Sequence, residues 1–187
     1  MRLFRILALF VSVLVLAACA SPARIGGAGP AFERTGRFAM TVREGDRPVE
    51  AVQGGFSWRD DGKTLRLDLL SPMGSVLARI LVRPGLSVLE HANGITEEAR
   101  NPDALLAKVW GHAVPVVGLR AWIRGKPWAG SPVEAVQRDA DGHIVRLVQD
   151  GWVLRLSDYD ELGPGRLRLT HDQAGRRLGL QLIVDAH

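Results

Sequence analysis

Apolar and polar residues alternate along most of the chain beyond residue 33. Phe38, Met40 and Val42 are separated by single residues, and the leucines of residues 65–69 form a second series of this kind. A period of two places the apolar side chains on one face of an extended strand. Segments of this type, bounded by turn residues, predict strands. The predicted strands cover residues 37–42, 49–59, 64–70, 76–82, 86–90, 94–99, 133–138, 143–149, 152–159, 165–171 and 177–185.

The middle of the chain has a different period. Residues 101–111 begin with Asn101 as a candidate N-cap and Pro102 at the first helical position, and Gly111 ends the segment. Residues 115–127 show helical spacing of apolar side chains before Gly125 and Pro127. Strands at short spacing with two helices between them predict an antiparallel sheet curled around those helices, with the helices covering its apolar face.

The N-terminus predicts an export signal and a lipid anchor. Two arginines precede an apolar run that is too short for a membrane span, and small residues follow. Leu16-Ala17-Ala18-Cys19 is similar to the bacterial lipobox, in which the cysteine is acylated; the alternative is a plain signal peptide with a chance cysteine. We expect residues 1–18 to be a signal peptide, 19–33 the lipid-anchored N-terminus and tether, and 34–187 a single binding domain.

Charge and cysteine content exclude several classes of protein. Without Arg2 and Arg5, the 24 basic residues fall to 22, against 20 acidic ones. This weak and dispersed positive charge argues against a nucleic-acid partner, which requires a basic stripe. Cys19 is the one cysteine of the chain, so neither an internal disulfide nor a cysteine-based metal site is expected.

Motifs of catalysis are not visible in the chain. The five histidines have neither H-E-x-x-H nor H-x-H spacing, and no G-x-S-x-G sequence occurs. Residues 62–64 resemble part of a phosphate loop and residues 139–142 part of a calcium loop, but both motifs are incomplete and predict turns. The acidic residues of 158–161 are either a carboxylate pair or a solvated loop, and no cluster of sugar-binding aromatic residues supports the pair. The sequence therefore indicates no enzyme, cofactor or metal.

Three stretches resemble the LolB family. They are "GGFSWRDDGKTLRLDLLSPMGSVLARI" (residues 54–80), "DALLAKVWGHAVPVVGLRAWIRGKP" (103–127) and "QDGW" (149–152) followed by Tyr159. With the lipobox, the resemblance covers nearly the whole chain. It implies a mainly β fold, namely an unclosed antiparallel β-barrel with a short α-helical lid. It also implies an outer-membrane lipoprotein facing the periplasm, because Ala20 rather than aspartate follows the cysteine. The chain departs from the family in lacking a tryptophan near its C-terminus.

The resemblance also implies which residues carry function. Pro72, Met73 and Gly74 fall in a protruding loop that contacts the membrane, with Met73 where leucine is usual; the alternative is that Met73 folds back into the core. Cys19 would carry the diacylglyceryl and N-acyl groups. The acyl-chain cavity would be lined by apolar residues of the strands and helices, although ordinary core packing is the alternative for each: Phe38, Met40, Phe56, Trp58, Leu65, Leu67, Leu69, Leu105, Val109, Leu119 and Trp122.

The resemblance implies a receptor without bond chemistry or ATP. Its partners would be a LolA-type periplasmic carrier, triacylated lipoproteins as cargo and outer-membrane lipid, and we expect a monomer that binds no nucleic acid. Arg120, Arg124 and Lys126 form either a contact for an acidic carrier or a solvated helix face. A lipoprotein that binds lipid or glycolipid without transporting cargo is the main alternative. A periplasmic hydrolase is a weaker one, because no nucleophile and base are apparent.

Overall fold

The computed structural model describes residues 31–112, 114–173 and 175–186. This part of the chain forms one antiparallel sheet of eleven strands and two helices. Six strands precede the helices: β1 Phe32–Glu44, β2 Arg47–Asp60, β3 Leu65–Leu70, β4 Val76–Arg83, β5 Leu86–His91 and β6 Thr96–Ala99. The helices are α1 Pro102–Trp110 and α2 Val116–Trp122. Five strands follow: β7 Val133–Arg138, β8 Ile144–Gln149, β9 Trp152–Asp160, β10 Gly163–Gln173 and β11 Arg176–Val184.

The sheet consists of two meanders joined at their first and last strands. Strands β1 to β6 are neighbours in sequence order, as are β7 to β11, and β1 pairs antiparallel with β11 through Gly36–Val184 to Glu44–Arg176. The strand order runs from β6 at one edge to β7 at the other, so the sheet is unclosed. The predicted fold class is confirmed.

The core lies between the inner face of the sheet and the two helices. On β1 buried and exposed residues alternate strictly from Phe32 to Phe38, and on β11 buried and partly buried residues alternate from Leu178 to Val184. Helix α1 is capped as predicted: the Asn101 side chain accepts a hydrogen bond from the backbone N–H of Asp103, and Gly111 ends the helix at φ 72°. In the described part of the chain, no helix is both long and apolar enough to cross a membrane.

Some boundaries differ from those that the sequence predicts. Strand β1 begins at Phe32, inside the segment that the sequence assigns to the tether. The hairpin of β1 and β2 is longer than predicted, because its turn consists only of residues 45 and 46. Helix α2 ends at Trp122, earlier than the predicted residue 127, and turns follow to Gly125. Within α2, a side chain on Gly118 would meet the Trp122 ring at 2.7 Å, so the glycine makes room for the indole.

Candidate functional site

A small apolar cavity lies between the sheet and the helices. Its volume is about 30 Å³, roughly the share of one molecule in liquid water. An engineered cavity of about 150 Å³ accommodates only a molecule such as benzene. The interior is therefore nearly filled in this structure. The residues that line the cavity come from four strands, both helices and their connection: Phe38, Phe56, Trp58, Leu67, Leu69, Leu106, Val114, Leu119, Leu180 and Leu182.

The structure brings only part of the predicted cavity residues together. Six of them line the cavity, as the preceding list shows. Met40, Leu65, Leu105 and Trp122 are buried in the core outside its lining, and the side chain of Val109 lies outside the described part of the chain. Four further lining residues were not among the predicted cavity residues: Leu106, Val114, Leu180 and Leu182. Leu180 and Leu182 show the same alternation as the leucines predicted to line the cavity. The alternation does not reveal that β11 pairs with β1, which places them at the cavity.

The Trp58 side chain, which lines the cavity, contains a buried polar atom. The residue is only 2% exposed, and its indole Nε1 has no hydrogen-bond partner among the described residues. A buried donor without a partner costs about 1–3 kcal/mol.

The loop between β3 and β4 is a tight turn that presents Met73 to solvent. The Gly74 N–H donates to the Ser71 carbonyl (2.9 Å), and the Ser71 N–H donates to the Ser75 carbonyl (2.8 Å). Pro72 occupies the second position of the turn, where its fixed φ is favourable, and Gly74 has φ 85°. At the tip, Met73 is 95% exposed and does not fold back into the core.

An open recess of about 400 Å³ lies beside this loop. Its wall includes Pro72 and Gly74 of the loop, Arg37 and Phe38 of β1, and Gly54 of β2. Phe38 also lines the inner cavity, so the recess and the cavity share this side chain as a wall. A Cβ atom at residue 54 would lie 2.1 Å from the Leu70 carbonyl oxygen, and only glycine permits this close approach of β2 and β3.

A buried carboxylate fastens helix α2 to the sheet. Asp60, 3% exposed at the end of β2, accepts hydrogen bonds from Arg120 (2.6 and 2.8 Å) and Arg124 (3.2 Å). Burial alone would raise the pKa of Asp60, but hydrogen bonds from Arg120, the Gly62 N–H and Arg124 outweigh it and hold the pKa below its ordinary value. Both arginines therefore contribute to the attachment of α2 and do not form a purely solvated helix face.

A second polar contact holds α2 from the opposite direction. The Gln149 side chain is fully buried at the end of β8. Its Oε1 accepts from the Trp122 indole N–H (2.9 Å) and the Trp128 backbone N–H (2.9 Å). Its Nε2 donates to the carbonyls of Trp128 (2.6 Å) and Ser131 (2.7 Å). One glutamine thus joins α2, the connection to β7, and β8.

Tyr159 has a similar structural role. Its hydroxyl donates to the Ile144 carbonyl at 2.6 Å, and its ring stacks on His143 with centroids 4.3 Å apart. Burial, with a smaller contribution from Asp139, raises the pKa of Tyr159 to about 12. The hydroxyl therefore stays protonated and anchors β9 to the start of β8.

The acidic residues near the end of β9 are engaged in ion pairs. Arg34 is fully buried on the inner face of β1, and its two terminal nitrogens each donate to the Asp160 carboxylate at 2.5 Å. The Arg34 hydrogen bonds are the main reason why the pKa of Asp160 falls to about 2. Asp158 pairs with Arg166 at 3.0 Å. Both carboxylates are thus held in ion pairs, and their side chains are exposed to solvent.

The segment 139–142, which resembles part of a calcium loop, is a turn, as predicted. Asp139 Oδ1 accepts from the backbone N–H groups of Asp141 (3.0 Å) and His143 (2.9 Å), and the Gly142 N–H donates to the Asp139 carbonyl. The side chains of these two aspartates and His143 lie close together but are exposed. Hydrogen bonds within the turn account for their proximity.

Comparison with known proteins gives one consistent family. Residues 30–186 match the model of the family described as "Outer membrane lipoprotein LolB". Proteins named outer-membrane lipoprotein LolB are 47% identical in Bordetella petrii (91% of this chain, 86% of the relative) and in Bordetella pertussis (94% and 89%). The relative in Cupriavidus pinatubonensis is 37% identical over 92% of this chain and 89% of its own length.

Among solved structures, a LolA superfamily protein from Nitrosomonas europaea superposes with a TM-score of 0.38. It is 10% identical and covers 86% of this chain and 90% of its own. The family assignment rests on the sequence matches, which extend over most of the chain. The family is described as a lipoprotein and not as an enzyme. The chain belongs to the LolB family, and it is an outer-membrane lipoprotein of the Lol pathway.

Proposed function

We propose that this protein accepts lipoproteins from a LolA-type periplasmic carrier and inserts them into the inner leaflet of the outer membrane without ATP. The observation that carries the proposal is the apolar cavity beneath α1 and α2, which shares Phe38 with an open recess beside an exposed methionine loop. In this proposal the recess would give acyl chains access to the cavity.

Acyl transfer of this kind needs no chemical energy if the chains never meet water. Each methylene group exposed to water costs about 0.8 kcal/mol, so a shielded passage between apolar sites removes most of the barrier. The carrier and this protein would dock with their cavity mouths together. Differences in affinity, with the bilayer as the strongest site, would then set the direction of transfer.

The anchor and the tether complete the proposal. Residues 1–18 and Cys19 lie outside the described residues. We assign the former as the signal peptide and the latter as the site of diacylglyceryl and N-acyl attachment. Eleven residues lie between Cys19 and the described part and span at most roughly 40 Å, so residues 19–33 would keep the binding domain, 34–187, close to the membrane. A Cys19→Ser chain should appear in the soluble periplasmic fraction, and retention in the membrane fraction would contradict this assignment.

The Met73 loop would act in the final step of delivery. The turn hydrogen bonds hold Met73 outside the domain, and burial of such a side chain in lipid contributes about 1.5–3 kcal/mol. Met73→Glu should leave thermal stability within about 0.5 kcal/mol of the native chain, because the side chain is exposed. It should slow lipoprotein release to membranes at least tenfold. Met73→Leu is the matched control and should retain the native rate, and an equal rate for Met73→Glu would exclude this role.

The central experiment is a transfer assay with the chain from Ala20 onward, which lacks the anchor but keeps all described residues. This chain is mixed with LolA that holds a triacylated lipoprotein, and affinity capture reports which protein holds the cargo. One-way movement to this protein without ATP is the expected result. If the cargo stays on LolA, the proposal is wrong, and retention of free lipid by the folded chain would then favour a lipid-binding lipoprotein that does not transport.

A further inference from the structure

Three arginines stand side by side on the outer face of the sheet. Arg146 of β8 is directly opposite Arg155 of β9, and Arg155 is directly opposite Arg168 of β10. Their neighbours Leu147 and Leu154 are buried on the inner face, so the alternation of side chains directs all three arginines outward. Neighbouring strands lie roughly 4.8 Å apart, which places three positive charges in a short row.

Two further arginines extend the row toward β1. Arg166 lies two residues before Arg168 on β10, and Arg37 of β1 lies on the same face, because Ile183 of β11 pairs with both Arg166 and Arg37. We call this surface the arginine face; it consists of Arg37, Arg146, Arg155, Arg166 and Arg168. Within this face, Arg166 forms an ion pair with Asp158.

The other four arginines of this face have no acidic partner among the described residues. At the far ends of the same strands the charges are matched, since Arg176 pairs with Glu44 and Arg177 pairs with Asp172. Like charges directly opposite each other destabilise a sheet by up to about 1 kcal/mol per pair. An anionic partner would remove this repulsion. The charges point to a ligand outside the chain.

The geometry favours phosphate groups as this ligand. Arg155, Arg166 and Arg168 line a shallow cleft of about 300 Å³ together with Ser157 and Asp158. The planar guanidinium group donates two parallel hydrogen bonds to a phosphate, and several such groups in one plane suit an array of phosphates.

The membrane is the source of phosphates that the observations support. The family of this chain is one of outer-membrane lipoproteins, so a bilayer surface lies close to the domain. Arg37 also lines the recess beside Pro72 and Gly74, so the arginine face is continuous with the Met73 loop. We propose that the arginine face binds the anionic phosphates of membrane lipid headgroups and sets the orientation of the domain on the bilayer. This binding does not depend on the proposed transfer of cargo.

The test measures binding of the mature chain with Cys19→Ala to vesicles of phosphatidylcholine with and without phosphatidylglycerol. The test variant is Arg155→Gln with Arg168→Gln. The matched control is Arg83→Gln with Arg100→Gln, which removes the same charge from exposed arginines outside the face. Each arginine near an anionic surface contributes about 1 kcal/mol, or fivefold, so the test variant should lose about 30-fold in affinity for the anionic vesicles.

Several results would overturn the proposal. The control should change little, and native binding should weaken as salt rises. An equal loss in both variants would mean general charge attraction, and no loss in the test variant would exclude the face as a lipid site. Intact vesicle binding combined with lost transfer from a carrier would assign the face to a protein partner instead. The melting temperature of the test variant should stay equal or rise, because repulsion is removed, and a fall would indicate a structural role.

Discussion

Replacement of Gln149 by leucine should strongly destabilise the protein although the two side chains are similar in size. The substitution removes the acceptor of the Trp122 indole, and Trp122 is 0% exposed. It also removes the partners of the Trp128 N–H and of the carbonyls of Trp128 and Ser131, which are only partly buried. The polar groups left behind determine the cost, because no large cavity is created.

The magnitude follows from the burial of each group. The orphaned indole N–H costs about 1–3 kcal/mol, and each of the three backbone groups costs about 0.5–1.5 kcal/mol, less where water reaches it. We expect a loss of about 3 kcal/mol in the free energy of unfolding. For a domain of this size, 1 kcal/mol corresponds to about 2–4 °C, so the melting temperature should fall by about 6–12 °C in a circular dichroism scan.

A double-mutant cycle separates the indole from the rest. Trp122→Phe removes the indole donor and leaves a small cavity. The cost of this cavity is the same with glutamine or leucine at residue 149, so it cancels in the cycle. Gln149→Leu should therefore cost at least about 1 kcal/mol less in the Trp122→Phe chain than in the native chain, because no buried indole is left unpaired. A Gln149→Leu chain within 0.5 kcal/mol of the native stability would refute the reasoning, and so would strictly additive costs.

Three further predictions concern the ionic contacts and the helices. Asp60→Asn should lower the free energy of unfolding, measured in urea, by about 2 kcal/mol, because two arginines lose a buried anion but remain partly hydrated. The control Glu33→Gln breaks an exposed ion pair and should cost under about 1 kcal/mol. Equal costs for the two variants would contradict this prediction. The pKa of Asp160 is lowered to about 2 from 3.8, so its ion pair contributes stability that is full above about pH 4 and is lost as the pH falls toward 2. Solvent exposure of this carboxyl limits the contribution to roughly 1 kcal/mol. Asp160→Asn should therefore weaken the fall of the free energy of unfolding with decreasing pH, measured in urea. In hydrogen exchange by mass spectrometry, α1 should exchange before α2, because Asp60 and Gln149 hold α2, and equal protection would contradict the difference.

The sequence alone predicted the elements better than their spatial relations. Alternation identified the strands, and Asn101, Pro102 and Gly111 marked the ends of α1, because these signals are local. The pairing of β1 with β11 joins residues nearly 150 positions apart, and no local pattern reveals it. This pairing brings Leu180 and Leu182 into the cavity wall, which is why the sequence analysis missed them.

Arg34 shows the same limit in a single residue. It occupies an inward position of β1, in phase with Phe32 and Phe38, where an apolar residue is expected. The structure explains it through Asp160, which reaches Arg34 from the end of β9. Likewise, Gln149 belongs to a segment that resembles the LolB family, but the sequence does not explain why a glutamine stands there. The structure explains it through the hydrogen bonds from Trp122 and Trp128. Partners from distant strands determine both positions.

The nearly filled interior has a consequence for how cargo would enter. A cavity of about 30 Å³ cannot hold an acyl chain, so under the proposed function the lid would have to move. Its two helices are held differently. Helix α2 is fastened by the buried side chains of Asp60 and Gln149, whereas Lys108 of α1 contacts Glu97 in an exposed ion pair. Opening should therefore begin at α1.

The energy of this movement can be compared with that of the cargo. Exposure of Leu105 and Leu106, both fully buried, would cost about 3–6 kcal/mol in total. Burial of roughly four to eight methylene groups recovers this amount, at about 0.8 kcal/mol each. An acyl chain has more methylene groups than that, so under the proposed function the closed form would be favoured when the protein is empty and the open form when it is loaded. In that proposal the lid would need no external energy source, because the cargo itself would shift the equilibrium.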